Sequence, residues 1–140
     1  MTEAEVWSFL RAQRHVQFGS NGPRGWPHIV PLSYALVDNC LAVQGYDRSQ
    51  KVFNVRRDPH VTCLVETGDT YATRQGVLVE GRAEVVEDRS TVEDVVRVLL
   101  ETEHVMAPID IDRLVAKRVA LVVRPERFVS WDHRKLAGAY

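Results

Sequence analysis

The amino-acid sequence predicts a mainly β fold carrying helices, an α+β closed barrel, and three observations lead there. Short apolar runs with period-two alternation recur along the chain between Gly, Pro and Asn turn signals. Helical spacing is confined to a few segments set among those runs. One long strand pattern has a glycine, Gly81, near its middle, where a barrel strand bends. A doubly wound nucleotide fold is excluded, because strands and helices would alternate throughout, and neither Gly-x-Gly-x-x-Gly nor a phosphate loop occurs.

Each element has its own reason. Thr2 and Glu5 make a capping box, and Val6, Phe9 and Leu10 follow at helical spacing, which predicts a helix over 2–12. Residues 15–20 alternate as a strand, Asn21, Gly22 and Gly25 mark a turn, and 27–36 resumes as a single strand to complete a hairpin. A turn at 37–40 leads into a strand over 41–46, so the three are expected to run as a meander. Residues 48–59 read as a short basic helix, with Ser49 as cap, Val52, Phe53 and Val55 as its apolar side and Pro59 as its stop. Strands follow over 60–66 and, after Gly68 and Asp69, over 75–87. Val92, Val95, Val96, Leu99 and Leu100 recur at helical spacing, and Ile109, Ile111, Leu114 and Val115 predict a second short helix. A last strand over 118–123 is expected to stop before Pro125, and the tail over 128–140 is too aromatic and too charged for disorder. With no repeat or linker, residues 1–140 are expected to form one domain.

Composition narrows the function. The chain is 45% apolar over 140 residues, which allows burial of roughly two-thirds of the unfolded surface. Eighteen Lys and Arg stand against nineteen Asp and Glu, a net charge of -1, without the one-sided positive field that nucleic-acid binding needs. The start is acidic and no apolar run approaches membrane-spanning length, so a soluble, cytoplasmic protein with no membrane partner is expected. Cys40 and Cys63 form no Cys-x-x-Cys pair and read as reduced thiols. The five histidines lack metal-site spacing, so no metal is expected, and without a Gly-x-Ser-x-Gly elbow a hydrolase is discarded. No catalytic side chain stands out. The reactive atoms of an enzyme here would belong to a bound cofactor that the protein orients.

Three segments are candidate binding elements, each with a second reading. Arg48 and Lys51 sit at a helix start, where the positive dipole end repels them unless a phosphate or carboxylate lies between. A solvated basic face is the alternative, and Arg56 and Arg57 at the far end favour the dipole without any ligand. Pro27 and Pro31 confine their strand to an edge or bulge, leaving backbone groups free for a flat ring or simply protecting an edge from aggregation. Trp131, followed by Asp132, His133, Arg134 and Lys135, forms an aromatic platform that covers a ligand pocket, or else plugs its own core or a dimer seam. Tyr71 and Arg74 share that ambiguity.

Four segments in this order carry a resemblance: Gly25-Trp26-Pro27-His28-Ile29-Val30-Pro31-Leu32, Ser49-Gln50-Lys51 through Asn54-Val55-Arg56-Arg57-Asp58-Pro59, Tyr71 through Arg74-Gln75-Gly76-Val77-Leu78-Val79-Glu80-Gly81-Arg82-Ala83, and Trp131-Asp132-His133-Arg134-Lys135. Together they resemble the flavin and deazaflavin oxidoreductases of the split β-barrel superfamily named for pyridoxamine 5'-phosphate oxidase. The likeness is to the actinobacterial branch in which many members use the deazaflavin coenzyme F420, while relatives hold FMN, FAD or haem-like molecules. The resemblance implies a split β-barrel, FMN-binding-like, with six or seven antiparallel strands and short helices. It implies cofactor phosphate at Lys51 and Arg48, the backbone of Val30, Pro31 and Leu32 along the ring, and Asn54 supporting the helix end. It also implies a homodimer with cofactor sites at the seam, where Trp131, Arg134 and Lys135 come from the partner chain. The implied cofactor is F420, with FMN or FAD as alternatives. The implied reaction is hydride transfer between the ring and an unsaturated small-molecule acceptor: an enone, a quinone or a tetrapyrrole-like compound. A non-catalytic carrier of flavin, haem or tetrapyrrole is the alternative. The substrate-phosphate residues of the vitamin B6 enzyme are not seen, so oxidation of pyridoxamine 5'-phosphate is not expected.

Overall fold

The structure is a computed structural model that describes residues 1–139. Helix α1 (Glu3–Ala12) is followed by strands β1 (His15–Asn21), β2 (Pro27–Ser33), β3 (Ala35–Val37) and β4 (Cys40–Tyr46), then by α2 (Gln50–Arg57). Strands β5 (His60–Thr67) and β6 (Gln75–Val86), helices α3 (Arg89–Thr102) and α4 (Ile111–Val115), and strand β7 (Arg118–Asp132) complete the order, with short 3-10 turns at Tyr71–Thr73 and His133–Leu136. The seven strands form one antiparallel sheet in the order β2-β1-β5-β6-β7-β4-β3, curled into a split barrel. Among the described residues, no helix is long and apolar enough to cross a membrane.

The expected strand over 27–36 is in fact two. It breaks at Tyr34, so that β2 pairs with β1 while β3 pairs with β4. Tyr34 is buried, its N–H donates to the Arg14 carbonyl at 3.1 Å, and its hydroxyl donates to the Leu10 carbonyl of α1. A continuous strand would have given the expected meander. The break instead sends β4 across to β7, and the two ends of the curled sheet are joined by this one corner.

The final strand also exceeds its expected length, because Pro125 does not stop it. Glu80 pairs with Arg127 but Gly81 pairs with Pro125, which leaves Glu126 as the extra residue of a bulge in β7. A proline cannot donate to a ladder and is tolerated at such a bulge. Gly81 is needed opposite it, since a Cβ there would lie 2.5 Å from the Arg124 carbonyl oxygen. The expected bend near Gly81 is present, and its extra residue lies in the neighbouring strand.

Two apolar layers fill the molecule. Val6, Phe9 and Leu10 of α1 pack with Phe18, Leu41, Val77 and Leu121 of the barrel interior, along with Val52 and Val55 of α2. On the outer side of β4 and β7, Val92, Val95, Val96 and Leu99 of α3 pack on Ala35, Ala42 and Ala120, whose small side chains let the helix approach. The capping box is formed, with the Thr2 N–H donating to Glu5 Oε2 at 2.7 Å. Cys40 and Cys63 are free thiols, and burial pushes the Cys63 thiol up to about 12.

Gly81→Val should lower unfolding stability by about 1–3 kcal/mol, the usual cost of forcing extra atoms into a packed position. Urea denaturation measures this. A midpoint equal to that of the parent would refute the tight approach of β6 to β7.

Candidate functional site

Helix α2 follows directly on β4, and the turn between them brings backbone and cations together. Ser49 occupies the N-cap with extended backbone, yet it does not cap the helix as expected. Its Oγ donates back to the Tyr46 carbonyl at 2.8 Å. The first turn therefore has no side-chain cap and no acidic residue, which leaves its N–H groups and dipole end open to an anion. Val52 and Val55 enter the core, whereas Phe53, expected on the apolar side, is 48% exposed. Asn54 takes the buried place instead, because the helix lies against β1 as well as the core. Its amide N–H donates to Ser20 Oγ at 3.0 Å, and its carbonyl accepts from Gln50 Nε2 at 2.8 Å. Asn54 thus anchors the helix to the sheet.

The four cations of this segment divide into two pairs. Arg56 donates to the Asp47 carbonyl at 3.1 Å and to Glu87 at 2.7 Å, and Arg57 donates to the Asn21 carbonyl and to Asn54. Arg48 and Lys51 have no hydrogen bond or ion pair among the described residues. Arg48 is exposed, but Lys51 is half-buried and folds over Gly45, where a Cβ would lie 2.7 Å from its Cε and 3.0 Å from its Nζ. Burial first, and the charge of Arg118 second, lower the Lys51 pKa. A desolvated ammonium beside another cation, with no acid to answer it, is a position that an anion would stabilise.

At the other end of α2, the His60 N–H, the His60 ring and Asn21 hold the Asp58 carboxyl down at about 2. His28, at the start of β2, lies cross-strand from the buried Ser20 that receives the Asn54 amide. Its Nδ1 is buried without a hydrogen-bond partner among the described residues. Strand β2 is an edge of the sheet, as its prolines suggested. Val30 and Leu32 turn toward the core, Pro31 is exposed, and the outer backbone edge has no strand neighbour. A cationic nitrogen over a glycine at the start of α2, an orphaned ring nitrogen opposite the Ser20 that receives Asn54, and the free backbone edge of β2 are the kinds of group that a flat ring carrying a phosphate would use.

The tail does not reach this place within one chain. Gly76 and Trp131 pair across β6 and β7, and a Cβ on Gly76 would fall 2.1 Å from the indole, so the ring lies on its own sheet. Arg134 binds Asp132 at 2.7 Å and Lys135 binds Glu5 at 2.7 Å. The His133 ring packs on Tyr71 at 4.4 Å between centroids, and Arg74 is exposed with its carbonyl accepting from the His133 N–H. Trp131 and Arg118 mark opposite ends of β7, roughly 40 Å of strand at about 3.3 Å per residue.

Neither Gly45 nor Arg118 stands out in the sequence as a site residue. The signal for Gly45 was an isolated glycine inside a strand, which marks close approach by another group. Arg118 gave none, since only the pairing of β4 with β7 sets it opposite Tyr46. Its guanidinium lies 4.7 Å from the centroid of the Tyr46 ring.

Residues 2–132 match the family described as pyridoxamine 5'-phosphate oxidase. Curated protein sequences give no match. Among solved structures, a conserved hypothetical protein from Mycobacterium tuberculosis, Rv2991, is 37% identical with a TM-score of 0.89, covering 98% of this chain and 88% of that one. An FAD-binding protein from Mesorhizobium loti is 24% identical with a TM-score of 0.75, covering 93% and 94%. An F420 reductase is 23% identical with a TM-score of 0.67, covering 83% and 89%.

Lys51→Met keeps the aliphatic cover on Gly45 and removes the desolvated charge. It should stabilise the ligand-free protein by about 0.5 kcal/mol, roughly 2 °C in thermal midpoint. A clear fall in the midpoint by calorimetry would mean that the ammonium has a stabilising partner inside the protein.

Proposed function

Because the chain belongs to the pyridoxamine 5'-phosphate oxidase family, we propose that it is a flavin- or deazaflavin-dependent oxidoreductase, with F420 ranked before FMN and FAD. The observation that carries this reading is Lys51, half-buried over Gly45 and without an acidic partner among the described residues. The names of the FAD-binding protein and the F420 reductase of similar fold support a ring cofactor. When bound, such a ring supplies hydride chemistry toward an unsaturated small molecule. The protein's own part is binding and orientation. Lys51 holds the phosphate, with Arg48 beside it at the helix start. The edge of β2 along Val30, Pro31 and Leu32 presents backbone groups to the ring, and His28 Nδ1 gains a partner it otherwise lacks. Asn54 keeps α2 seated on β1 so that Lys51 stays in place.

Members of this superfamily typically work as homodimers, and two observations support the same arrangement here. Leu64, Leu78 and Val129 lie in register across the outer face of β5, β6 and β7, while Ile29 on β2 is 63% exposed, giving an apolar face for a second copy. The second is that Trp131 lies at the far end of β7 from Arg118, whose charge acts on Lys51. A partner subunit would bring its own tail, with Trp131, Arg134 and Lys135, to the site that one chain leaves open.

Titration with F420, FMN and FAD tests the cofactor. Lys51→Ala should weaken the bound cofactor by about 1.5–3 kcal/mol, the range for a hydrogen bond to a charged group, and unchanged affinity would sink the phosphate assignment. Mixing Lys51→Ala with Arg134→Ala protein under exchange tests the shared site. Binding should return at about a quarter of all sites, the statistical share for random pairing in two-fold dimers. No recovery would place both residues in the same chain's site, or none.

A further inference from the structure

A second cleft lies next to the strand assigned to the ring. Its volume is about 280 Å3, and it opens between the end of β2, the outer side of β4, and helices α3 and α4. Its walls are aliphatic: Leu32, Val96, Leu99, Leu100 and Leu114. The volume is just below the roughly 300–1,000 Å3 of common ligand pockets, which suits a small molecule rather than a second large ring system. Leu32 belongs both to this cleft and to the edge proposed for the ring, so a molecule in the cleft would lie beside the cofactor.

Two charged side chains reach the cleft, Glu103 and Arg118, and each is held by hydrogen bonds rather than by a group of fixed opposite charge. Glu103 accepts from Ser33 Oγ at 2.5 Å and lies 3.2 Å from His15 Nε2, and the Ser33 hydrogen bond holds its carboxyl below the ordinary range. Among the described residues, Arg118 meets no carboxylate. Its Nε–H donates to the Leu114 carbonyl at 2.8 Å, and its terminal nitrogens donate to Gln44 and to the Tyr46 hydroxyl. All of those acceptors are neutral. They fix the plane of the guanidinium but leave its charge uncompensated, and they use three of its five N–H groups. An oriented guanidinium at one end of an aliphatic cleft is matched by a carboxylate on an apolar body.

We propose that this cleft binds the acceptor as a small apolar monocarboxylate, its carboxylate on Arg118 and its hydrocarbon against Leu32, Val96, Leu99, Leu100 and Leu114. The assignment rests on the proposed reading of β2 as the cofactor edge. It adds a substrate class to that reading and makes Arg118 the residue that selects for it.

Octanoate, octanol and octylamine serve as probes, with methyl-labelled Leu and Val read by NMR in the full-length protein. Octanoate should shift the methyls of the lining Leu and Val residues and bind about tenfold or more tightly than octanol, with no binding of octylamine. Arg118→Gln should remove the preference for octanoate, and Arg118→Lys should keep part of it. The methyl spectrum of each variant reports whether it is folded. Arg118→Gln also removes a positive charge near Lys51 and should weaken the cofactor somewhat, so the deciding readout is its choice between octanoate and octanol. Equal binding of octanoate and octanol by the parent would overturn the proposal. So would an Arg118→Gln protein that loses cofactor affinity but keeps its choice of octanoate, since Arg118 would then serve the cofactor phosphate. Octanoate binding in a protein that binds none of F420, FMN or FAD would support the carboxylate cleft and overturn the cofactor reading alone.

Discussion

The offset pairing of β6 with β7 is the constraint on which the rest of the molecule depends. These are the two longest strands, and they share the middle of the sheet with β5 and β4 on either side. Pro125 cannot donate to the ladder, and Gly81 has no side chain to keep the Arg124 carbonyl away. The pair accommodates both by skipping Glu126, and a bulge of this kind increases local bend and twist. The bent pair curls the sheet, and the curl brings its two edges close enough for a single corner at Tyr34 to link β2 with β3. Helices α1 and α2 supply side chains to the enclosed core, while α3 covers the outer side of β4 and β7. The candidate site combines Lys51 at the start of α2, over Gly45, with the free edge of β2.

Electrostatics at that site run against stability and in favour of binding. The C-terminal arginines of α2 are neutralised or hydrogen-bonded, and Asp58 stays ionised through the neutral range. At the N-terminal end, Lys51 is desolvated over Gly45 with the positive charge of Arg118 nearby. A chain selected only for folding would place an acid in this first turn, where the helix dipole also favours one. The same fold holds Arg118 rigid with neutral acceptors, so two positive charges are positioned by the backbone without being cancelled by it. Asn54 is the mechanical counterpart, since it spends its hydrogen bonds on β1 and on the helix, which keeps α2 in register with the sheet.

Much of this was legible one segment at a time. The capping box at Thr2 and Glu5, the apolar face of α3, the alternation in β1 and β5, and the edge character of β2 all follow from spacing and from proline chemistry. Local reading failed where a partner strand overrode a local signal. Pro125 is a strong stop for an isolated strand, yet at a bulge its missing N–H costs nothing and β7 continues to Asp132. The stretch over 27–36 reads as one strand because its break, at Tyr34, has no glycine or proline. It is made by burial of that side chain and its bond to α1. Ser49 has the identity of a cap but turns its hydroxyl back to Tyr46, and Phe53 gives up its place in the core to a polar Asn54.

The amino-acid sequence by itself determined the kinds of element, the edge placed by Pro27 and Pro31, the basic helix with Lys51 in its first turn, and the ordered segments that carry the family likeness. These rest on periodicity, capping and backbone chemistry within a few residues, which act before the chain folds. Tertiary structure alone decided that Lys51 would lie over Gly45, that Arg118 would meet Gln44 and Tyr46, and that Trp131 would rest on Gly76 far from both. Each of these is a contact between strands distant in the chain, fixed by sheet register. Register is a property of the pairing of whole strands, which no single segment encodes.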